Sequence, residues 1–320
     1  MVVTAPKVSI LIPCHSLSYL DSAVESIAAQ SLSKDQFDVI LIGDRININY
    51  ARDILKRRLS NYRVYESKFP GIVNALNLGL TKTNSALIAR MDEDDYMEPD
   101  RLLLQVKYLA HNPDCVAVGG QLKLINEIGN IIGVSRYKEK LVLRSDLLRR
   151  SPMAHPAVTF RRESVIAVGG YRENLPEDWD LWMRLSQKGQ LANLKDYVLR
   201  YRVHAHQLSR NNMYEQSTSR LMIGTSDYAR TFGLSDIPQK TSDSEIWCDQ
   251  KSKELRGISK DFVRFEKSVE REVAIFSTLK QKSNLLRLFA LAALFIRNPF
   301  VFFYSLEPTI KNKCYYLKYR

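Results

Sequence analysis

The apolar and polar positions of this chain change rhythm as it proceeds. "KVSILIP" is a continuous apolar run ended by proline, the pattern of a strand buried on both faces. "LDSAVESIAAQSL" follows, with Leu20, Val24, Ile27 and Ala28 at helical spacing. "FDVILIGD" predicts a second buried strand that ends in Asp44. A helical segment over residues 50–59 and a short strand over 63–65 come next. "GIVNALNLGLTKT" predicts a helix and "SALIARM" a further strand, followed by the helix "RLLLQVKYL" behind Pro99. Strands that alternate with helices predict an α/β layer with a largely parallel sheet.

The middle of the chain reads differently. "VAVGGQLKLINEIGNIIGVSRY" holds two strand-like runs around "NEIGN", a hairpin pattern. A helix over residues 139–150, a strand "AVTF" and a helix over 179–188 complete it, so the sheet is expected to be mixed. Beyond residue 205 the strand pattern fades. "SRLMIGTSDYARTF" and "KDFVRFEKSVEREVAIFSTLKQK" are helical, with charges of alternating sign as on a solvated face. The expected division is a catalytic α/β domain over 1–205 and a helical C-terminal extension over 206–320.

Composition narrows the class. The chain has 320 residues, 45% of them hydrophobic and 26% charged, with a net charge of +12. That is ordinary globular composition with an excess of base, which favours an anionic partner. Its basic residues are not interleaved with aromatics in a nucleic-acid-binding motif, so nucleic acid is not expected. Cys14, Cys115, Cys248 and Cys314 are far apart and form neither a zinc site nor a disulfide framework, which points to a reducing compartment. The N-terminal run lacks the basic flank and small-residue cleavage site of a signal peptide.

The candidate chemistry starts at Asp92, Glu93, Asp94 and Asp95, at the end of an apolar strand. In an open α/β sheet, ligands bind beyond the carboxyl ends of the strands. Asp95 and Glu98 have a plain structural reading as acids favouring the start of the next helix. Asp92 and Asp94 lie too early for that, and their mutual repulsion needs a counter-charge. Mg²⁺ or Mn²⁺, held by one or two carboxylates and a substrate diphosphate, supplies one.

Four blocks, in order, resemble the family 2 glycosyltransferases. They are "VSILIPCHS…LDSAVESIAAQS", "PGIVNALNLGLTKTNSALIARMDEDDYMEPDRLLLQ", "HPAVTFRRESVIAVGGYRENLPEDWDLWMRL" and "YRVHAHQLS". The resemblance implies the GT-A fold, a Rossmann-like nucleotide-diphospho-sugar transferase with a mixed sheet flanked by helices. It also implies sugar transfer from a nucleotide-sugar with inversion, a UDP-sugar being the commonest donor in similar bacterial enzymes of capsule and O-antigen synthesis. "ARMDEDD" looks like the family's DxD motif, with Asp94 on the metal and Asp92 on the ribose or the metal. "PEDWDLWMRL" looks like its ED motif, with Asp178 as the base and Glu177 as the rival. By the same resemblance, Pro13, His15, Asp44, Asn77 and Asp92 contact the donor, and His204 is a third metal candidate beside the weaker His206. Two places depart from the family. Asp44 alone stands where Asp-Asp-Gly-Ser is usual, and Cys14-His15 stands where Tyr-Asn is usual.

Structural readings stand beside several of these residues. Glu177 and Asp178 also suit the start of a helix. Asp180 has the spacing of an ion pair with Arg184. His155 either lines the acceptor side or holds a loop, Arg202 pairs with a phosphate or with an acid, and Gly71 shapes the donor pocket beside Asn77. Trp179 and Trp182 either stack on a sugar or belong to the core. Three other readings remain. A nucleotidyltransferase opens with a glycine-rich phosphate loop, whereas "IPCHSLSYL" has no glycine. A non-catalytic basic protein binding nucleic acid suits the charge but lacks a recognisable binding motif, and a degenerate transferase that only binds a partner has no need of intact acids at both motifs.

The tail carries most of the charge excess. Residues 251–320 hold fifteen Lys/Arg against six Asp/Glu, a net +9, around the apolar run 285–306. Base beside an apolar helix too short to span predicts contact with an anionic membrane surface. A lipid-linked glycan acceptor on the cytoplasmic leaflet agrees with that, and so does a peripheral location on the inner face of the cytoplasmic membrane. The alternative is that the helix covers the catalytic domain or a second subunit of a homo-oligomer.

Overall fold

The computed structural model describes residues 8–149, 151–173, 176–204, 213–234 and 241–280. The chain divides into two compact units, one made of residues 1–173 and 177–203, the other of 174–176 and 204–320.

The first unit begins with β1 (Val8–Cys14), α1 (Leu20–Ala28), β2 (Phe37–Gly43), α2 (Ile48–Lys56), β3 (Tyr62–Glu66), α3 (Ile72–Thr81) and β4 (Leu87–Arg90). It continues with β5 (Tyr96–Met97), α4 (Arg101–His111), β6 (Cys115–Ile125), β7 (Ile131–Ser135), β8 (Lys140–Leu141) and α5 (Arg144–Leu147). It ends with β9 (Thr159–Arg161), α6 (Arg162–Ala167), α7 (Glu177–Leu185) and β10 (Gln190–Arg202). The strands form one mixed sheet in the order β3-β2-β1-β4-β9-β6-β10-β5, with β7 paired to β6 and β8 to β10.

Every residue of β1 and β2 is buried, as their largely apolar runs require, and the polar exceptions Ser9 and Asp38 bond to each other. Ile10, Ile12, Val39 and Leu41 share one core with Leu20, Val24 and Ile27 of α1 and Ile54 and Leu55 of α2. On the opposite face, Leu11 meets α3. A Cβ at Gly79 would fall 2.2 Å from a Leu11 methyl carbon, so glycine is what lets this helix lie so close.

Topology places the chemistry. β1 runs parallel to β2 and β4, β9 runs antiparallel to both β4 and β6, and β10 runs parallel to β6. The carboxyl ends of β1, β2, β4, β6 and β10 therefore share one edge of the sheet, and β9 starts there. His15, Asp44, the acids 92–95, His155 and Arg202 are delivered to that edge from different parts of the sequence.

Several expectations are corrected. The helix expected over 139–150 is two residues of strand and one short turn of helix. Pairing to β10 takes the strand part, and the Asp146 carboxylate, accepting from Leu143 N at 2.9 Å, starts the helix late. β10, thirteen residues long, has no clear strand pattern in "QLANLKDYVLRYR". Register shifts against β6 break its alternation. The helix behind Pro99 starts at Arg101, and neither Asp95 nor Glu98 serves it. Glu98 pairs with Lys123 at 2.8 Å and Arg200 at 3.0 Å, and Asp95 binds β10.

The second unit contains α8 (Met213–Thr231), α9 (Thr241–Ile258) and α10 (Lys260–Lys280). Tyr228, Phe262 and Phe265 form an aromatic cluster between α8 and α10 with ring centroids 5.3–6.2 Å apart. Arg256 joins Glu266 at 2.6 Å. No described helix is long and apolar enough to cross a membrane. The apolar run 285–306 and the membrane contact expected of it lie outside the described residues, as does His206.

Candidate active site

Strand β4 ends in Arg90, whose side chain is 3% exposed and lies 2.5 Å from an Asp92 oxygen. The acids beyond it take separate tasks. Glu93 turns back to β1, where one carboxylate oxygen accepts His15 N and Ser16 N, both at 3.1 Å, and pairs with His15 Nδ1 at 2.7 Å. Asp95 is buried and accepts Arg202 N at 2.9 Å. Arg202 Nε donates to the Asp94 carbonyl at 2.7 Å. The turn is thus tied to β1 on one side and β10 on the other.

What remains is a close group of carboxylates at one turn, with Arg90 against Asp92. One oxygen each of Asp92, Asp94 and Asp95 lies within 4.8 Å of the others. Burial pushes the Asp92 carboxyl up to about 7; Arg90 opposes this, and the charges of Asp94 and Glu93 add to it. Burial also raises Asp95 well above the carboxylate range, and its Oδ2 is buried without a hydrogen bond. Carboxylate oxygens this close together suit a hard divalent cation, so the donor set fits Mg²⁺ or Mn²⁺. His204, the third candidate ligand, is half-buried two residues past β10, at the start of the second unit's longer segment.

The second acid pair opens α7. Ser151 Oγ donates to Asp178 Oδ2 at 2.9 Å. Glu177 Oε1 lies 3.4 Å from His155 Nδ1, and His155 Nε2 lies 3.0 Å from the Tyr171 hydroxyl. Burial, then the charge of Glu177, raises Asp178 to about 7. Burial also pushes Glu177 up, but its His155 contact holds it below the usual range. Burial and the charge of Arg90 lower His155 to about 4, so its ring is neutral. Arg90 acts electrostatically on both Asp92 and Glu177.

The other candidates sort as follows. Asp44 Oδ2 accepts Gly71 N at 2.8 Å, and Gly71 holds φ +103°, a conformation that favours glycine. Asn77 spends both ends of its amide on the Tyr171 backbone, at 2.9 Å each, and braces the approach to α7. Pro13 is a buried residue of β1 opposite Ile42. His155 is a buried neighbour of Glu177 that also holds its loop. Trp179 and Trp182 are core, 6% and 0% exposed, and Trp179 Nε1 donates to Leu147 O at 2.6 Å. Asp180 and Arg184 pair at 2.5 Å, as their spacing predicts.

Arg202 is held largely by backbone carbonyls. Besides Asp94 O, its guanidinium donates to Asn126 O and Glu127 O at 3.1 and 2.7 Å and lies over the Tyr19 ring. It forms one wall of a cleft of about 480 Å³ with Tyr19, Tyr96 and Ile128, which none of the site acids lines.

Sequence reasoning passed over Arg90, Glu93, Arg101 and Tyr171. An arginine on an otherwise apolar strand beside four acids was the readable signal for Arg90. Arg101 is fully buried and donates to Arg90 O at 2.6 Å and Pro156 O at 2.7 Å, joining the end of β4 to the His155 loop. Nothing local in the sequence announces that.

The glycosyl transferase family 2 profile matches residues 9–169. The chain belongs to glycosyltransferase family 2. This glycosyltransferase is 30% identical over 205 residues to the O-antigen biosynthesis glycosyltransferase WbnJ of Escherichia coli, covering 62% of this chain and 80% of that one. Its fold matches S. aureus TarS 1–349, solved with UDP-GlcNAc, at a TM-score of 0.59, 18% identity and coverage of 95% of this chain and 82% of that one. It also matches the mannosyltransferase PcManGT of Pyrobaculum calidifontis, solved with GDP-Man and Mn2+, at a TM-score of 0.54, 15% identity and coverage of 98% and 87%. These neighbours share the GT-A fold expected from the sequence.

In this glycosyltransferase, Cys14-His15 introduces a cation where the family has Tyr-Asn. The hydrogen bond to Glu93 raises the imidazole of His15 to about 9, so it is charged at neutral pH. The pairing contributes stability that is fully present below about 6.5 and lost as pH rises through about 9. The contribution is modest, because the ring is 64% exposed and solvent screens it. An NMR titration of the metal-free protein is expected to give His15 a midpoint near 9, falling toward 6.5 in Glu93→Gln. A wild-type midpoint at 6.5 would show that the pair does not form.

Proposed function

We propose that this chain is an inverting, divalent-metal-dependent transferase that moves a sugar from a UDP-sugar to a hydroxyl of a glycan or lipid-linked glycan in surface polysaccharide synthesis. It works at the cytoplasmic face of the membrane. The observation that carries this reading is the division of labour at one sheet edge. Three acidic oxygens within 4.8 Å fit a cation, and a separate carboxylate on α7 has its proton affinity raised to about 7.

Asp92 and Asp94 are the residues that would hold Mn²⁺ or Mg²⁺; bound there, the ion would neutralise charge on the leaving diphosphate. The His15 cation stands beside the same turn, where it favours an anionic donor. Asp44, fixed by Gly71 N, faces the nucleoside side of the donor. Asp178 accepts the proton of the acceptor hydroxyl as its oxygen bonds to the anomeric carbon. The carbon–oxygen bond to the diphosphate breaks, and its electron pair leaves with the nucleotide. A base near neutral pKa suits this step, being ionised in part and still able to take a proton. Attack opposite the leaving group inverts the anomeric centre. The O-antigen role of WbnJ and the UDP-GlcNAc and GDP-Man complexes of the fold neighbours support the acceptor and donor classes.

The test is a screen of UDP-, GDP-, dTDP- and CMP-sugars, measuring nucleotide release with and without Mn²⁺. Release of UDP that requires the metal is expected. Pyrophosphate release from a nucleoside triphosphate and a sugar 1-phosphate would instead establish a nucleotidyltransferase.

A further inference from the structure

Two carboxylates open α7, and their surroundings treat them differently. Asp178 meets a serine hydroxyl, which rotates freely and exchanges partners at little cost. Glu177 meets a histidine that is itself held. His155 is 6% exposed, lies edge-on to Trp182 with centroids 5.8 Å apart, and has its far nitrogen 3.0 Å from the Tyr171 hydroxyl. Tyr171 is fixed in turn, because its backbone N–H and carbonyl both bond to Asn77. With the Tyr171 hydroxyl as donor to Nε2 of the neutral ring, the ring proton sits on Nδ1, which faces Glu177 Oε1 at 3.4 Å, longer than a closed hydrogen bond.

We propose that His155 is a positioning residue for proton transfer: pinned by Tyr171, it fixes Glu177 as a permanent carboxylate and so leaves Asp178 as the group that takes the acceptor's proton. This inference rests on the reading of Asp178 as the base. A fixed negative charge next to Asp178 keeps Asp178 basic. If Glu177 were free to share the proton, the pair would titrate together and neither carboxylate would be a dedicated base. The groups that face the pair agree with this division. Glu177 faces His155 and Arg90, whereas Asp178 faces Glu177, Ser151, the Trp179 N–H and Arg90. Tyr171 lies in the field of Arg90, Glu177, Asp178 and Arg184, and its hydroxyl is pushed far above its usual range by burial. It therefore stays protonated and able to donate to His155.

The experiment uses the full chain with His155→Leu, His155→Gln and Tyr171→Phe. Carboxyl ¹³C NMR of the metal-free protein reads the pair without any substrate. In the wild type, Asp178 is expected to titrate near 7 and Glu177 below the usual carboxylate range. In His155→Leu, the Glu177 midpoint rises and the Asp178 midpoint falls. Kinetics on the UDP-sugar turned over in the screen supply the second reading. In His155→Leu, kcat falls roughly tenfold or more, the donor KM stays within about twofold, and the acid limb of the pH profile moves to lower pH. His155→Gln, which keeps an N–H for Glu177, restores part of the rate. Tyr171→Phe gives a smaller shift in the same direction and carries the test if His155→Leu does not fold. Unchanged carboxyl titrations, or a slower enzyme with an unmoved acid limb, would overturn the proposal. If Asp178→Asn keeps the wild-type rate, the base assignment falls as well. If Asp178→Asn is dead and His155→Leu is normal, only the role of His155 falls.

Discussion

Asparagine at position 178 is expected to leave a folded protein that binds donor and transfers no sugar. The amide has the shape of the carboxylate and keeps an oxygen for Ser151, but it cannot take a proton. Loss of a general base costs roughly a hundred- to ten-thousand-fold in rate. Donor affinity, measured by calorimetry with UDP and Mn²⁺, is expected to be unchanged, because the donor is assigned to the acids of the β4 turn and to Asp44. The stability of the protein carries a second signature. Burial raises the Asp178 carboxyl from 3.8 to about 7, so between those values the folded state binds more protons than the unfolded chain. Stability therefore falls as pH rises through that window, and the variant should lose that slope. A thermal-melt series from pH 4 to 8 reads it. If donor affinity disappears together with activity, Asp178 belongs to the donor site. If Glu177→Gln is dead and Asp178→Asn is active, the roles of the two carboxylates are reversed.

The sequence made the first half of the sheet legible for a physical reason. β1, β2 and β4 are buried along their whole length, so their runs are apolar but for Ser9, Asp38 and Arg90 and stand out without neighbours. β10 lies near the sheet's edge, with several half-buried positions and three register shifts, and its string mixes both patterns. The same contrast holds for the site. Asp92, Asp94, Glu177 and Asp178 were readable because acids at the end of an apolar strand or the start of a helix are locally conspicuous. Glu93 was hidden inside its own motif. Its task, binding the His15 and Ser16 N–H groups, appears only when β1 and β4 lie side by side. Tyr171 and Arg101 act on residues 16 and 55 positions away, at His155 and Pro156. Trp179 and Trp182 were ambiguous because flanking an acid in sequence does not tell on which face of a helix a ring lies. Their burial settles them as core.

Alanine at position 94 is expected to remove most metal-dependent turnover while leaving the turn in place. The turn is held by groups the substitution does not touch. Glu93 binds the end of β1, the Asp95 carboxylate binds Arg202 N, and Arg202 Nε binds the backbone carbonyl of residue 94, which alanine retains. The loss is therefore chemical, and removing an electrostatic stabiliser of a leaving group costs about a hundredfold or more. A collapse of the fold would raise nucleotide KM and lower stability together, whereas here the metal-free melting temperature is expected to hold. Taking away one of three close carboxylates relieves repulsion, and Asp92, which the charge of Asp94 helps to raise to about 7, should titrate lower in the variant. The thermal shift given by Mn²⁺ reports the site directly, since a ligand that binds only the folded state stabilises it in proportion to the logarithm of its saturation. That shift should be large in the wild type and nearly absent in Asp94→Ala. Undiminished turnover in the variant, or full wild-type activity in excess EDTA, would sink the assignment. An intact Mn²⁺ shift with lost activity would move the metal to Asp92 and Asp95 and leave Asp94 to the sugar.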